Sequence, residues 1–370
     1  MSDELAHLVL GGEQLAGAGE VGDVGVSQVG DEHLVAVSVD VGEGELRAGV
    51  WDLAAGDHAA PVGPPVEQVA DEVGDLDDFG VVADFAKRFP KQFLNVGVAE
   101  QNMAGVATGL AMSGRIVFTY SIANFPILRC LEQLRNDACY HQANVVSVSV
   151  GGGFSYGALG MTHHGTEDIA ILRALPYMSV IAPGDPKEAQ AATRYLAVGH
   201  GPAYLRLGRA GEPIVHEGPI DWQFGKAITV REGEDATIIS TGAMLDTCVK
   251  AAALLAEQSL SVRVLSMHTV KPLDETAILS AARETGCILT VEEHSRLGGL
   301  GGAVAEVLCE NAQSPFLFRQ RALPSEFTKH VGSQDYLREI YGLTAESIAE
   351  EMADLVSGKD AVPSRVLSVK

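Results

Sequence analysis

Basic residues are almost missing from the first 80 positions. There 18 acids stand against one basic residue, Arg47, so this stretch supplies −17 of the net charge of −23. Such a balance offers no electrostatic footprint for nucleic acid. Long apolar runs are lacking too: none reaches the roughly 18 residues of a membrane span. The opening residues, MSDELAHLVLGGEQ, have neither a basic region nor the apolar core of an export signal, so a cytoplasmic protein is expected. Cysteines are few and scattered: Cys130, Cys139, Cys248, Cys287 and Cys309. Their spacing matches no metal site, and core thiols in a reducing compartment are the expectation.

The 370 residues leave room for two or three domains. Residues 1–75 are rich in Gly, Val, Asp and Glu; HLVAVSVDV (33–41) could be a strand, but glycines and acids interrupt any longer period. This segment is expected to be irregular, with marginal β structure, and AAPVGPPVEQ (59–68) reads as a linker. From Phe79 to about Gly211, strands are predicted at 116–121, 145–150, 178–182 and 203–207, and helices at 98–112, 126–140, 166–174 and 186–198. In the last helix Asp185 can cap and Pro186 suits the first turn. After GEPIVHEGPI the alternation resumes, with strands at 236–240, 261–267 and 287–292 and helices at 243–258, 274–284 and 302–312. Strand–helix alternation of this kind predicts α/β domains with parallel sheets covered on both faces.

One acid stands out. In NVGVAEQNMAGVATGLAMSG (95–114), Ala99, Met103, Val106 and Leu110 form one helical stripe, and Glu100, Ala104, Ala107 and Ala111 form the next. A helix apolar on both sides is expected to be enclosed. An acid opening its alanine stripe needs a partner or a task; the plainer alternative is an acid that only answers the helix dipole.

Two other features invite a chemical reading. The paired histidines of GMTHHGTED (160–168) point different ways on most backbones and have no third ligand at a fitting distance, so no metal is expected. GGGFSYGALG (151–160) opens no helix, and GGLGG (298–302) lacks the G-x-G-x-x-G spacing. Close backbone approach accounts for these glycines better than a dinucleotide does.

Taken in order, NVGVAEQNM (95–103), FTYSIANF (118–125), GGGFSYGALGMTHHGTED (151–168), GPAYLRLGR (201–209), DATIISTGAMLDTCVKAAALLAE (235–257) and TVEEHSRLGGLGGAVAE (290–306) resemble the thiamine-diphosphate enzymes of the transketolase family. The resemblance spans roughly residues 79–345 and is nearest to the C-terminal subunit of split transketolases. It implies two consecutive parallel-sheet α/β domains, a pyrimidine-binding domain over 76–215 and a transketolase C-terminal domain over 225–360, after the irregular acidic segment 1–75.

The resemblance also assigns roles. The acid of the first motif, Glu100, faces N1′ of the cofactor's aminopyrimidine, where a shared proton promotes the imino tautomer that deprotonates thiazolium C2. Apolar surroundings favour a protonated carboxyl and the helix N-terminus favours the anion; with little room for water, the enclosure is expected to prevail. Phe125 is the expected stacking ring, with Tyr120 as second choice and a plain core aromatic as the alternative. His163 matches the histidine near the reacting carbon, which steers protons and binds substrate hydroxyls; His164 is expected to be a loop hydrogen-bonder. Arg209, and Arg173 as in the deoxyxylulose-phosphate synthase branch, match phosphate-binding arginines; a structural ion pair is the alternative for each. Leu159 stands where many relatives have an Asp that contacts donor-sugar hydroxyls.

Part of the family pattern is missing. The Gly-Asp-Gly and later Asn that hold Mg2+ on the cofactor's diphosphate have no match here. The resemblance therefore implies an N-terminal partner subunit that holds thiamine diphosphate by its Mg2+-bound end, in a heterotetramer of two chains of each kind. Ahead of VADFAKRFP (82–90), only DEVGDLDDFG (71–80) echoes the family's usual opening, so the upstream residues are expected to be unrelated to it, from a wrong start or a shifted reading frame. The leading expectation is transfer of a two-carbon ketol unit between sugar phosphates. Neighbouring alternatives are deoxyxylulose-phosphate synthesis and a 2-oxoacid dehydrogenase E1 β-type subunit. An alternative of another class is a non-catalytic assembly or regulatory subunit.

Overall fold

The computed structural model describes residues 34–38, 85–209 and 211–358, with 34–38 described as backbone. Six parallel strands make up most of the first sheet: β1 (Leu34–Ser38), β2 (Phe93–Asn95), β3 (Ile116–Ile122), β4 (Val145–Val150), β5 (Ser179–Ile181) and β6 (Ala203–Leu207). The second sheet contains β7 (Ile228–Arg231), β8 (Ala236–Ser240) and β9 (Val262–Ser266) from the middle of the chain. A short β10 (Thr269–Lys271) follows, and β11 (Cys287–Ser295) and β12 (Leu317–Leu323) return to the second sheet. The strand orders are β10-β5-β6-β4-β3-β1-β2 and β12-β11-β8-β9-β7. Thus β10 leaves its own domain and closes the edge of the first sheet, antiparallel to β5.

The helices are α1 (Glu100–Met112), α2 (Phe125–Leu128), α3 (Asp168–Arg173), α4 (Pro186–Leu196), α5 (Leu245–Glu257), α6 (Glu275–Glu284), α7 (Leu300–Asn311), α8 (Gln334–Ile340) and α9 (Ala345–Ser357). Asp185 caps α4 by accepting from the Glu188 amide at 2.9 Å, with Pro186 in the first turn. The strands read as near-continuous apolar runs because both faces of the first sheet are covered. Phe118, Val146, Val148 and Leu205 pack with Ala189, Ala192 and Leu196 of α4. On the opposite face Val117 and Val145 pack with Met103, Ala107 and Ala111 of α1. The change of face between Val117 and Phe118 is the two-residue alternation of a strand.

The structure adds β2, β7, β10, β12, α8 and α9 to the elements expected, and it departs from expectation in other ways. Strand β1 falls within HLVAVSVDV, the candidate strand of the acidic segment, but it is an inner strand between β2 and β3 rather than marginal β structure; the rest of that segment, including the expected linker at 59–68, lies outside the described residues. The helix expected over 126–140 is α2, a turn at Leu131–Gln133 and a π-helical stretch at Leu134–Cys139, with Arg129 and Cys130 at the break. Helix α1 is not enclosed all round: Gln101, Asn102, Gly105, Gly109 and Met112 are exposed. Finally, Cys309 is exposed, whereas the other four cysteines are buried thiols. Among the described residues, no helix is long and apolar enough to cross a membrane.

Candidate active site

Strand order positions the candidate residues. Glu100 opens the helix after β2, Phe125 follows β3, His163 follows β4 and Arg209 follows β6. All four therefore come after the carboxyl ends of parallel strands in one sheet. The order β2-β1-β3-β4 reverses direction between β1 and β3, the kind of switch point that leaves a ligand crevice at those ends. Glu100 and Phe125 come from the two sides of it.

Glu100 is 4% exposed and begins α1 without a capping side chain. Its environment is not only apolar. Arg129, 29 residues further on, donates from Nη1 to Glu100 Oε1 at 2.8 Å. The same guanidinium lies over the Phe125 ring, 4.5 Å from its centroid. The enclosure argued from the alanine stripe omits this cation. Phe125 and Arg129 are four apart, the spacing at which helical side chains meet, and that is the signal that could have found it.

His163 stands edge-on to Phe125, with centroids 5.2 Å apart and planes at 72°. Its Nδ1 is 3.0 Å from Thr162 Oγ1. Burial pulls the imidazole below its ordinary range, which favours the neutral ring, able both to donate and to accept. His164 is buried, with Nε2 3.4 Å from Gly157 O and the ring edge-on to Phe154. It is the loop hydrogen-bonder the sequence suggested. Tyr120 does not join Glu100, Phe125 and His163; it packs into the α4-side cluster with Phe118, Val146 and Val148, where burial pushes its phenol well up.

The two arginines differ. Arg209 is exposed just beyond β6. Arg173 ends α3, ahead of β5, and its guanidinium is engaged: Nη1 donates to Gly298 O at 2.7 Å and Gly299 O at 3.3 Å, and Nη2 to Glu306 Oε2 at 2.7 Å. The glycine loops are explained by close approach. Gly153 has φ +67°, and a Cβ there would meet Glu293 Cδ at 2.6 Å. At GGLGG the amides of Leu300 and Gly301 donate to buried Glu292 at 2.7 and 2.8 Å. An internal carboxylate thus takes the anion position at the N-terminus of α7.

Sequence reasoning missed the support behind the loop that carries His163. Glu293 Oε1 accepts from the Phe154 amide at 3.3 Å, and Glu293 Oε2 accepts from Gln334 Nε2 at 2.9 Å and Arg338 Nη2 at 2.8 Å. Arg206 donates to Asp168 Oδ2 at 2.7 Å, to Gly165 O at 2.7 Å and to Glu293 O at 3.1 Å. The second domain therefore braces both ends of loop 151–168. Only charged residues inside otherwise apolar strand patterns, such as Arg206 in AYLRL, hinted at this network.

Comparison with known proteins places both sheets in one family. Residues 30–211 match the family model described as "Transketolase, pyrimidine binding domain", and residues 225–348 match "Transketolase, C-terminal domain". The sequence suggests that the residues upstream of 71 are unrelated to the family; the first match begins at residue 30 and takes in β1, which corrects that expectation. The chain is 43% identical over 277 residues to an apulose-4-phosphate transketolase subunit of Phocaeicola vulgatus, covering 74% of this chain and 87% of that protein. It is 38% identical over 279 residues to "6-deoxy-6-sulfo-D-fructose transketolase subunit SqwH" of Clostridium sp. (strain MSTE9), covering 75% and 86%. A solved structure titled "Split gene transketolase, inactive beta4 tetramer" superposes with a TM-score of 0.71 at 30% identity, covering 96% of this chain and 97% of that one. The chain belongs to the transketolase family.

Proposed function

We propose that this chain is the pyrimidine-binding subunit of a two-chain transketolase, which moves a two-carbon ketol unit between sugar phosphates. The observation that carries the reading is the convergence of a buried carboxylate, Glu100, with Phe125 and His163 at the carboxyl end of one sheet. This donor set fits an aminopyrimidine: an acid for a ring nitrogen, an aromatic face for the ring and an imidazole beside it. Bound there, thiamine diphosphate would supply the carbanion chemistry of ketol transfer.

The chain's own residues have distinct tasks in this reading. Glu100 shares a proton with the pyrimidine N1′. Phe125 supports the ring, adding on the order of 1 kcal/mol beyond area burial. His163, neutral near pH 7, orients substrate hydroxyls and moves protons at the reacting carbon. Arg209 clamps the sugar phosphate from solvent. Arg173, engaged by Gly298, Gly299 and Glu306, ties the first domain to the second. Mg2+ and the cofactor's diphosphate belong to the partner subunit, in a heterotetramer. The open face of α1, with Gly105 and Gly109 exposed and Met112 62% exposed, supports a partner surface next to Glu100. Domains over 76–215 and 225–360 and a cytoplasmic setting complete the proposal.

The test is to reconstitute the chain with its diphosphate-binding partner and supply xylulose 5-phosphate or pyruvate as donor. Ketol transfer from the sugar phosphate, dependent on thiamine diphosphate and abolished by Glu100→Gln with cofactor still bound, is expected. Turnover by the isolated chain, near-normal activity of E100Q or condensation of pyruvate would overturn the reading.

A further inference from the structure

Arg129 is the residue at this site that no motif pointed to and that the proposed chemistry does not use. Its guanidinium makes two contacts at once: 4.5 Å from the centroid of Phe125, and 2.8 Å from Glu100 Oε1 through Nη1. A flat group that stacks on Phe125 while donating N–H to Glu100 is also what the pyrimidine-binding reading requires of the cofactor's ring. The likeness is chemical as well as spatial. A guanidinium is a planar, delocalised cation with N–H donors in its plane, and an aminopyrimidine protonated on N1′ presents an amidinium edge of the same kind. The edge of Phe125 is already met by His163 at 72°. The two flat groups cannot hold the same place on the ring and the carboxylate.

The mobile partner of this pair is plain. The Arg129 side chain is 52% exposed, and that of Glu100 4%. The guanidinium can leave for water, whereas the carboxylate is fixed at the start of α1. The contacts that hold Arg129, a cation over an aromatic face and a half-exposed ion pair, belong to the weaker classes of interaction.

We propose that Arg129 is a place-holder for the pyrimidine. In the unloaded chain it covers Phe125 and keeps the buried Glu100 carboxylate partnered; it swings out when the cofactor's pyrimidine docks. Only chains with Arg129 displaced are then competent to bind, so apparent cofactor affinity is reduced by the fraction that is closed. This inference rests on the pyrimidine-binding reading above.

The test measures thiamine diphosphate binding to this chain assembled with its diphosphate-binding partner, by titration calorimetry and stopped-flow. In Arg129→Ala, Kd should fall about five- to tenfold, with faster association and unchanged dissociation. Arg129→Gln, which keeps a donor but loses the charge and the guanidinium face, should lie between and serves if R129A fails to fold. Unchanged or weaker binding in both variants overturns the place-holder while leaving the pyrimidine site standing. A wild-type assembly that binds no thiamine diphosphate overturns the pyrimidine-binding reading and this inference with it.

Discussion

The guanidinium of Arg206 meets the carboxylate of Asp168 at 2.7 Å, with 5% and 1% of the two side chains exposed. Tyr204 donates to the same oxygen, and Arg206 continues to the backbone oxygen of Glu293 in the second domain. Burial pushes Asp168 up, but Arg206, His294 and Tyr204 together hold it below the usual carboxylate range. Removing one partner leaves the other charged in a dry place. Arg206→Met should cost about 3–5 kcal/mol of stability, and R206M with Asp168→Asn less than the two single losses summed. Urea unfolding of the four proteins measures this; a loss under about 1 kcal/mol for R206M would show that water reaches the pair.

Replacing His163 with Ala should lower kcat more than it weakens cofactor binding. Because burial holds the imidazole below its ordinary 6.5, the neutral ring dominates at pH 7 and the acid limb of kcat should lie below 6.5. H163A should lose that limb. A profile unchanged by the substitution would remove His163 from the proton path.

The arginines should separate by what they change. Arg209→Ala is expected to raise KM for phosphorylated sugars far more than for unphosphorylated acceptors. Arg173→Ala should instead lower the melting temperature, because it strips an engaged guanidinium from Gly298, Gly299 and Glu306. Equal effects of R209A on both acceptor classes would take it out of the clamp.

His216 and Glu188 predict a pH-dependent hold on the segment between the domains. His216 Nε2 and Glu188 Oε1 are 2.8 Å apart, and the Val215 and His216 amides both donate to Asp185 Oδ2 at 3.0 Å. For His216, burial acts downward, but Glu188 lifts it above the ordinary 6.5. For Glu188, burial acts upward, but His216, His268, Ser266 and the Gly184 amide bring it below the ordinary 4.5. The raised histidine stabilises fully below 6.5 and loses its effect as pH rises through the folded value. The depressed acid stabilises above 4.5 and loses its effect as pH falls. The stabilisation lost in His216→Gln should therefore be larger near pH 5.5 than near pH 8, as thermal melts at the two pH values will register.

Much of the architecture is written locally. Runs such as VVSVSV and AYLRL, enclosed on both faces, declare their strands, and Asp185 with Pro186 declares the start of α4. Strand β1 was only half visible, because its five residues sit among acids and glycines and its partners, β2 and β3, lie far along the chain. The candidate residues Glu100, Phe125, His163 and Arg209 were legible as residue types at motif spacings, and each follows a strand. What surrounds them was not. Glu293 reaches Phe154 across 139 positions, and no periodicity reports a contact of that span. The cation on Glu100 left only the four-residue spacing of Phe125 and Arg129 as a mark, because a charged residue within a helical stretch reads as a solvated face.

Strand β10 also limits how such a gene can be divided. It is encoded after the whole first domain, yet it completes that domain's sheet beside β5. A message cut between the two domains would yield a first product with a raw hydrogen-bonding border, open to whatever strand it met in the crowd. A cut upstream of β1 keeps every ladder among the described residues within one product.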